Sequence, residues 1–226
     1  MMARRVAVAV CLVGLVVMAG GCGEEGGGGG LLLPPQPIEL FPDTADKLMA
    51  NFQLAYETMN YDAFLHLLHP DCVTILQPST VALFPSLGPT LDVTEERRIH
   101  ERMFSRNDVT DPNGALVPGV QSIGFQTFAR QGTWSSSTGT DAIPNTTCAV
   151  YDVVVFFDHG SLYATSKVQG TIKFYVTARD SVVGGVTKPY FQMRGQLDLT
   201  LDTKAAGEAG LGTESSSWGE VKARYR

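Results

Sequence analysis

Long hydrophobic runs are scarce in this 226-residue chain. The one pronounced run, VAVAVCLVGLVVM from Val6 to Met18, falls short of the ~20 apolar residues that a membrane-spanning helix needs. Cysteines are also few. There are four, at positions 11, 22, 72 and 148, and two of these lie so near the start that no disulfide framework can be built from the rest. A basic excess is missing: 17 Lys and Arg against 23 Asp and Glu give a net charge of −6. Without a cationic cluster there is no electrostatic footprint for nucleic acid, and none for adhesion to an anionic membrane. The chain has no Gly-x-Ser-x-Gly elbow, no P-loop and no dinucleotide fingerprint, so no cofactor is expected. It has no internal repeat either.

What is present begins with a leader. Arg4 and Arg5 precede the apolar run, and small residues follow it, which is the make-up of a secretory signal peptide over residues 1–21. Ala19-Gly20-Gly21-Cys22 resembles the lipobox of bacterial lipoproteins. That resemblance implies cleavage before Cys22 and acylation of its thiol and amine. Ala19 stands where the usual motif has Leu, and ordinary cleavage with release of a soluble protein is the alternative. More than one acyl chain makes a stable anchor. Gly23, in place of Asp, points to the outer membrane of a two-membrane cell envelope, facing the periplasm or the exterior. Residues 22–41 read as a Gly/Pro-rich tether, of about 20–25 Å by the flexible-chain estimate. Residues 42–226 form a single domain. Loss of Arg4 and Arg5 with the leader takes the net charge from −6 to −8.

Within that domain, Leu48, Phe52, Ala55 and Met59 recur at helical spacing behind an N-cap at Thr44. YDAFLHLL predicts a short second helix ended by Pro70, CVTIL a strand, and VTEERRIHERMFS a third helix. VQSIGFQTFARQ reads as a strand. The polar stretch GTWSSSTGTDAIPNTT is long for a compact domain, hence mobile or functional. Strands follow at CAVYDVVVFFD, at LYATSKVQGTIKFYVTARD and at YFQMRGQLDLTLD, with a turn at His159-Gly160. In the last of these, Met193, Leu197, Leu199 and Leu201 alternate with Gln192, Arg194, Gln196, Asp198 and Thr200. That predicts one buried and one solvated face of an antiparallel sheet. SWGEVKARYR ends the chain as a strand or short helix. Helices followed by a run of antiparallel strands give an α+β class.

FQLAYETMNYDAFLHLLHPDCVTIL resembles the opening of nuclear transport factor 2-like proteins, with EERRIHERMF as their third helix and FQMRGQLDL and SWGEVKARYR as their last strands and tail. The resemblance implies a cone: three N-terminal helices packed on a curved antiparallel sheet, with a pocket at the wide end. In superfamily members with ketosteroid isomerase-like chemistry an acidic base stands in the first strand, shortly before a proline. Here that position is Gln77, before Pro78, and an amide is no base near neutral pH. Tyr56 falls where such enzymes keep a hydrogen-bonding tyrosine, or it is a pocket wall or core residue. A base could come from elsewhere, for example Asp152 or Asp158.

His66 and His69, three apart, suit one face of a helix and a metal ion, but no third ligand has a fitting spacing, so no metal is expected. Cys72 and Cys148 either pair or are two separate core residues. Arg194 reads as a surface ion-pair partner. No catalytic residue follows from the sequence. The expected function is that of a lipid-anchored extracytoplasmic accessory domain without catalysis. Its partners are the membrane through the lipid on Cys22, a small apolar ligand held near Tyr56 and Gln77, and a second copy in a homodimer. The alternatives are a polyketide cyclase- or isomerase-like enzyme on a small carbonyl compound and a structural envelope protein.

Overall fold

The computed structural model of the chain describes residues 40–200 and 213–226. The leader, Cys22 and nearly all of the tether lie outside the described residues. Leu40 and Phe41, expected to end the tether, already belong to the domain. The Leu40 amide and carbonyl bond the Asn51 side chain at 2.8 and 2.5 Å, and Phe41 packs on Tyr190.

The helices start where short polar side chains satisfy amides that have no partner within the helix. Thr44 caps α1 (Ala45–Glu57) through the Lys47 amide, and Asn60 caps α2 (Tyr61–Leu67) through that of Ala63. Between them Met59 takes a left-handed φ of 51°, which turns the chain back on itself. β1 (Leu68–Ile75) leads into a helix the sequence reading passed over, α3 (Pro78–Leu83), with proline in its first turn. β2 (Thr90–Asp92) follows. The helix expected as the third is therefore the fourth, α4 (Val93–Phe104), begun by a reciprocal cap between Asp92 and Glu95.

A small hairpin, β3 (Val109–Thr110) with β4 (Leu116–Val117), precedes four long strands: β5 (Ser122–Ser136), β6 (Thr147–Asp158), β7 (Thr165–Val183) and β8 (Val186–Asp198). β9 (Thr213–Ser216) and α5 (Trp218–Arg224) close the chain. Among the described residues the fold is α+β, with five helices and a seven-stranded sheet ordered β2-β1-β8-β7-β6-β5. β9 pairs with β7 over Thr165 to Val168, before β8 joins β7 at Ile172. The sheet is mixed rather than antiparallel throughout, because β1 runs parallel to β8 and β9 parallel to β7.

Two irregularities face each other on β1 and β8. On β8 Met193 pairs with Val176 and Gly195 with Tyr175, so Arg194 is an extra residue. On β1 the pairing jumps from Leu68 to Val73 while β8 advances only from Met193 to Gly195. His69-Pro70-Asp71 is thus a bulge inside a strand, and Arg194 bonds the Asp71 carbonyl and lies 3.4 Å from its carboxylate. An inserted residue moves everything beyond it to the opposite face. This corrects the expected alternation. Gln196, Asp198 and Thr200 are buried, whereas Leu197 is half-buried on the outer face and Leu199 is exposed.

That outer face is covered too. Of residues 132–147, expected to be a mobile or functional loop, 132–136 continue β5 and Thr147 begins β6; the loop 137–146 between them folds across β6, β7 and β8 and buries Ile143 against Cys148 and Tyr175. Gly195 permits this contact, since a Cβ there would collide with Ile143 Cδ1 as well as with the Val73 carbonyl oxygen. Lys173 pairs with Asp141 and holds its carboxyl down to about 2. The main core lies on the other face, between sheet and helices. Phe52, Tyr56, Phe64, Phe174 and Trp218 interlock there, most of them edge-on or tilted.

Candidate functional site

The interior holds a chain of polar groups with no access to solvent. α4 contributes Glu96 and His100, α1 Tyr56, β1 Thr74 and α5 Lys222, all of them buried. Lys222 Nζ donates to both Glu96 oxygens, at 2.8 and 2.9 Å, and the Thr74 hydroxyl donates to Glu96 Oε1. Burial alone would push the Glu96 carboxyl up. The Lys222 ammonium foremost, with bonds from Lys222 and Thr74, outweighs that and holds it below the usual carboxylate range. His100 is pushed down to about 3 by burial, so the ring is neutral. Its Nδ1–H donates to the Glu96 carbonyl at 2.7 Å, and its Nε2 accepts from the Tyr56 hydroxyl. Burial, then the charge of Glu96, raises the Tyr56 phenol well above its ordinary value, so it stays a donor.

This network is closed. Each member has its partners, and Trp218 with Val221 and Lys222 fills the space beside Tyr56. No space large enough for a water molecule is left there. α5 can lie inside because Ser217 and Glu220 cap each other and the Gly219 amide donates to Asp198 Oδ2 at 2.8 Å. The bulge on β8 supplies that acceptor, along with Gln196 Oε1, which takes the Trp218 indole N–H at 3.0 Å.

The open space is elsewhere. A cleft of about 460 Å³ lies between the end of α3, the β3–β4 hairpin, the β6–β7 turn, the strand β9 and the outer side of α5. Asp111 shapes the hairpin by accepting from the Asn113 and Ala115 amides at 2.8 Å, and Gly114 supplies the positive φ of the turn. Asn113 Nδ2 ties the hairpin to the Leu83 carbonyl at 3.2 Å. The lip is apolar and exposed: Leu83, Leu116 and Tyr163 present 43, 63 and 44% of their surface. Single exposed apolar residues are ordinary, but three on the rim of one cleft mark a contact surface.

His159 and Ser166 line the same cleft. His159 Nε2 lies 3.0 Å from Ser166 Oγ, and Nδ1 lies 3.2 Å from the Pro118 carbonyl oxygen, which also accepts from the Tyr225 hydroxyl at 2.7 Å. The carbonyl can only accept, so the proton sits on Nδ1 and Nε2 accepts from the serine. Burial lowers His159 from its ordinary value, against the raising effect of its backbone contacts at Pro118 and Gly119. Arg224 lies across the cleft, 3.9 Å from Glu214.

No protein-family model matches this chain, and no curated protein matches it either.

The residues singled out from sequence are dispersed. Tyr56 belongs to the closed interior. Gln77 lies at the start of α3, where its amide donates to the Thr200 carbonyl and lies 3.3 Å from Asp198 Oδ1, and it lines neither space. The two do not share a pocket. Cys72 and Cys148 are free, buried thiols rather than a disulfide, because one packs in the main core and the other in the cluster on the outer face. Burial pushes the Cys72 thiol well up, so it is inert at neutral pH.

His66 is on α2 and His69 in the β1 bulge, where its Nδ1 accepts from the Asp71 amide at 3.1 Å. Among the described residues no three His, Cys, Asp or Glu are grouped to hold a metal ion. Asp152 bonds Gln131, and Asp158 bonds the Gly160 amide, so both serve the sheet edge and its turn. Sequence reasoning missed the His159–Ser166 pair. His159 drew attention only as a turn residue, and nothing in the spacing shows that Ser166 returns to it across that turn.

Proposed function

We propose that this chain is a lipid-anchored extracytoplasmic lipoprotein whose nuclear transport factor 2-like domain binds a small amphipathic molecule in the cleft beside α5. The order of α1, α2, β1 and α4 ahead of β5 to β8 supports the family reading, as do the quoted motifs. One observation carries the binding reading. The space next to Tyr56 is filled by Trp218, while the cleft is roomy and rimmed by exposed Leu83, Leu116 and Tyr163. The lining mixes apolar residues such as Val117 and Val221 with polar ones such as His159, Ser166 and Arg224, which suits an amphipathic molecule. Gln77, an amide that lines neither space, offers no base for isomerase chemistry. Attachment to the membrane is through the lipid at Cys22 in this reading; among the described residues no helix is long and apolar enough to cross a membrane.

The test is native mass spectrometry of the full chain released gently from detergent. The reading expects a reproducible added mass that disappears in the Leu83→Ser/Leu116→Asp variant. A clean apo mass in both proteins would overturn it. The anchor is tested in parallel by metabolic labelling with a fatty-acid probe, and label retained on Cys22→Ala would defeat it.

A further inference from the structure

The cleft does more than offer a surface. We propose that His159 and Ser166 form a nucleophilic dyad and that the cleft hydrolyses small amphipathic carboxylic esters. This goes beyond the binding reading and rests on it, since the ester must occupy the same space.

The geometry is that of an activated serine. A nucleophilic hydroxyl needs a base within hydrogen-bond reach, and the base needs a third group to fix its orientation. Ser166 Oγ and His159 Nε2 are 3.0 Å apart, and the Pro118 carbonyl holds Nδ1–H at 3.2 Å. A carbonyl thus stands where a carboxylate does this work in serine hydrolases. Tyr225, donating to the same carbonyl at 2.7 Å, keeps that oxygen in place from α5. Both members of the pair are largely buried, which limits competition from water, yet both line a space of about 460 Å³. The apolar lip at Leu83 and Leu116 gives the acyl or alkyl part of an ester somewhere to lie. With the ring neutral near pH 7, the Nε2 lone pair is available as a base.

The chemistry balances with water alone. Ser166 Oγ adds to the ester carbonyl carbon while its proton passes to Nε2. The tetrahedral adduct collapses, the bond to the alcohol oxygen breaks, and Nε2 returns the proton to the leaving alkoxide. Water then adds to the acyl-Ser166 carbonyl, giving its proton to Nε2. The carboxylic acid departs, and Ser166 recovers its hydrogen. The net change is ester and water to acid and alcohol.

The experiment treats the full chain in detergent with a fluorophosphonate probe and maps the adduct by peptide mass spectrometry, alongside hydrolysis of p-nitrophenyl butyrate. The dyad expects one adduct, on Ser166, and a measurable hydrolysis rate. Ser166→Ala should lose both, and His159→Gln should lower the rate roughly 10²–10⁴-fold. Unchanged melting of the variants would separate loss of chemistry from loss of fold. An unlabelled Ser166 in the unsubstituted protein, with no hydrolysis above the Ser166→Ala background, overturns the dyad whatever the variants do. If that protein still retains an amphiphile in native mass spectrometry, the binding reading stands without it. Labelling of Ser166 in a chain that retains nothing would support the dyad and count against stable ligand storage.

Discussion

Two histidines in this domain are wired alike and placed differently. His100 and His159 each give Nδ1–H to a backbone carbonyl and take a hydroxyl at Nε2, from Tyr56 in one case and Ser166 in the other. Both are lowered from the ordinary histidine value by burial, and both rings are neutral. The difference is what lies beyond the hydroxyl. Tyr56 is enclosed by Phe64, Phe104, Phe125 and Trp218, so its pairing is structural. Ser166 fronts a cleft that a small molecule can enter. Hydrogen-bond pattern alone therefore does not mark a site. Access does.

The comparison breaks most sharply at Lys222. Lys222→Met leaves Glu96 charged and unpaired in the core and should cost about 3–5 kcal/mol of stability. Glu96→Gln/Lys222→Met should recover most of it, because neither charge then has to be desolvated. Urea denaturation of the three proteins checks this, and equal losses in the single and double variants would show that the stranded Glu96 charge is not the source of the cost.

The hydroxyl partners should separate next. Tyr56→Phe strands His100 Nε2 where no water can reach and should cost ~1–3 kcal/mol. Ser166→Ala leaves His159 Nε2 open to cleft water and should cost less than about 1 kcal/mol. Melting temperatures measured side by side test the order, and a Ser166→Ala loss as large as that of Tyr56→Phe would make the cleft pair a structural one.

Between pH 7 and 5.5 a modest effect of pH is expected as well. The folded pKa of His100 is about 3, below the unfolded value near 6.5. Between those values the unfolded chain binds the extra proton, so stability is full above pH 6.5 and declines as pH falls toward 3. His100 alone should remove about 1 kcal/mol between pH 7 and 5.5. His159 and His69, also lowered, act in the same direction. Replacing His100 with Gln should flatten the dependence without abolishing it, and an unaltered slope would mean that the ring already takes up its proton in the folded state.

Much of the fold was legible in residues near one another. The helix of Leu48 and Phe52 behind its cap at Thr44 depends on spacings of three and four, which local sterics translate directly into structure. α3 escaped notice because Gln77, its N-cap residue, makes no side-chain cap bond and only six residues follow. The face reversal on β8 was hidden for another reason. Met193, Leu197, Leu199 and Leu201 form an unbroken alternation in sequence, and the extra residue at Arg194 exists only against β1 and β7. With that one-residue shift Gln196 and Asp198 turn inward, where they receive Trp218 and Gly219 of α5.

The sequence by itself determined the α+β order, most helix starts and the polar or apolar character of each strand. Those follow from backbone geometry and from burial preferences that act over a few residues. The tertiary structure alone decided which polar groups are silenced and which are presented. Glu96 meets Lys222 across 126 positions, and His159 meets Ser166 across a turn. Whether such a pair is inert or reactive depends on the protein packed around it, and that packing comes from chain segments far apart.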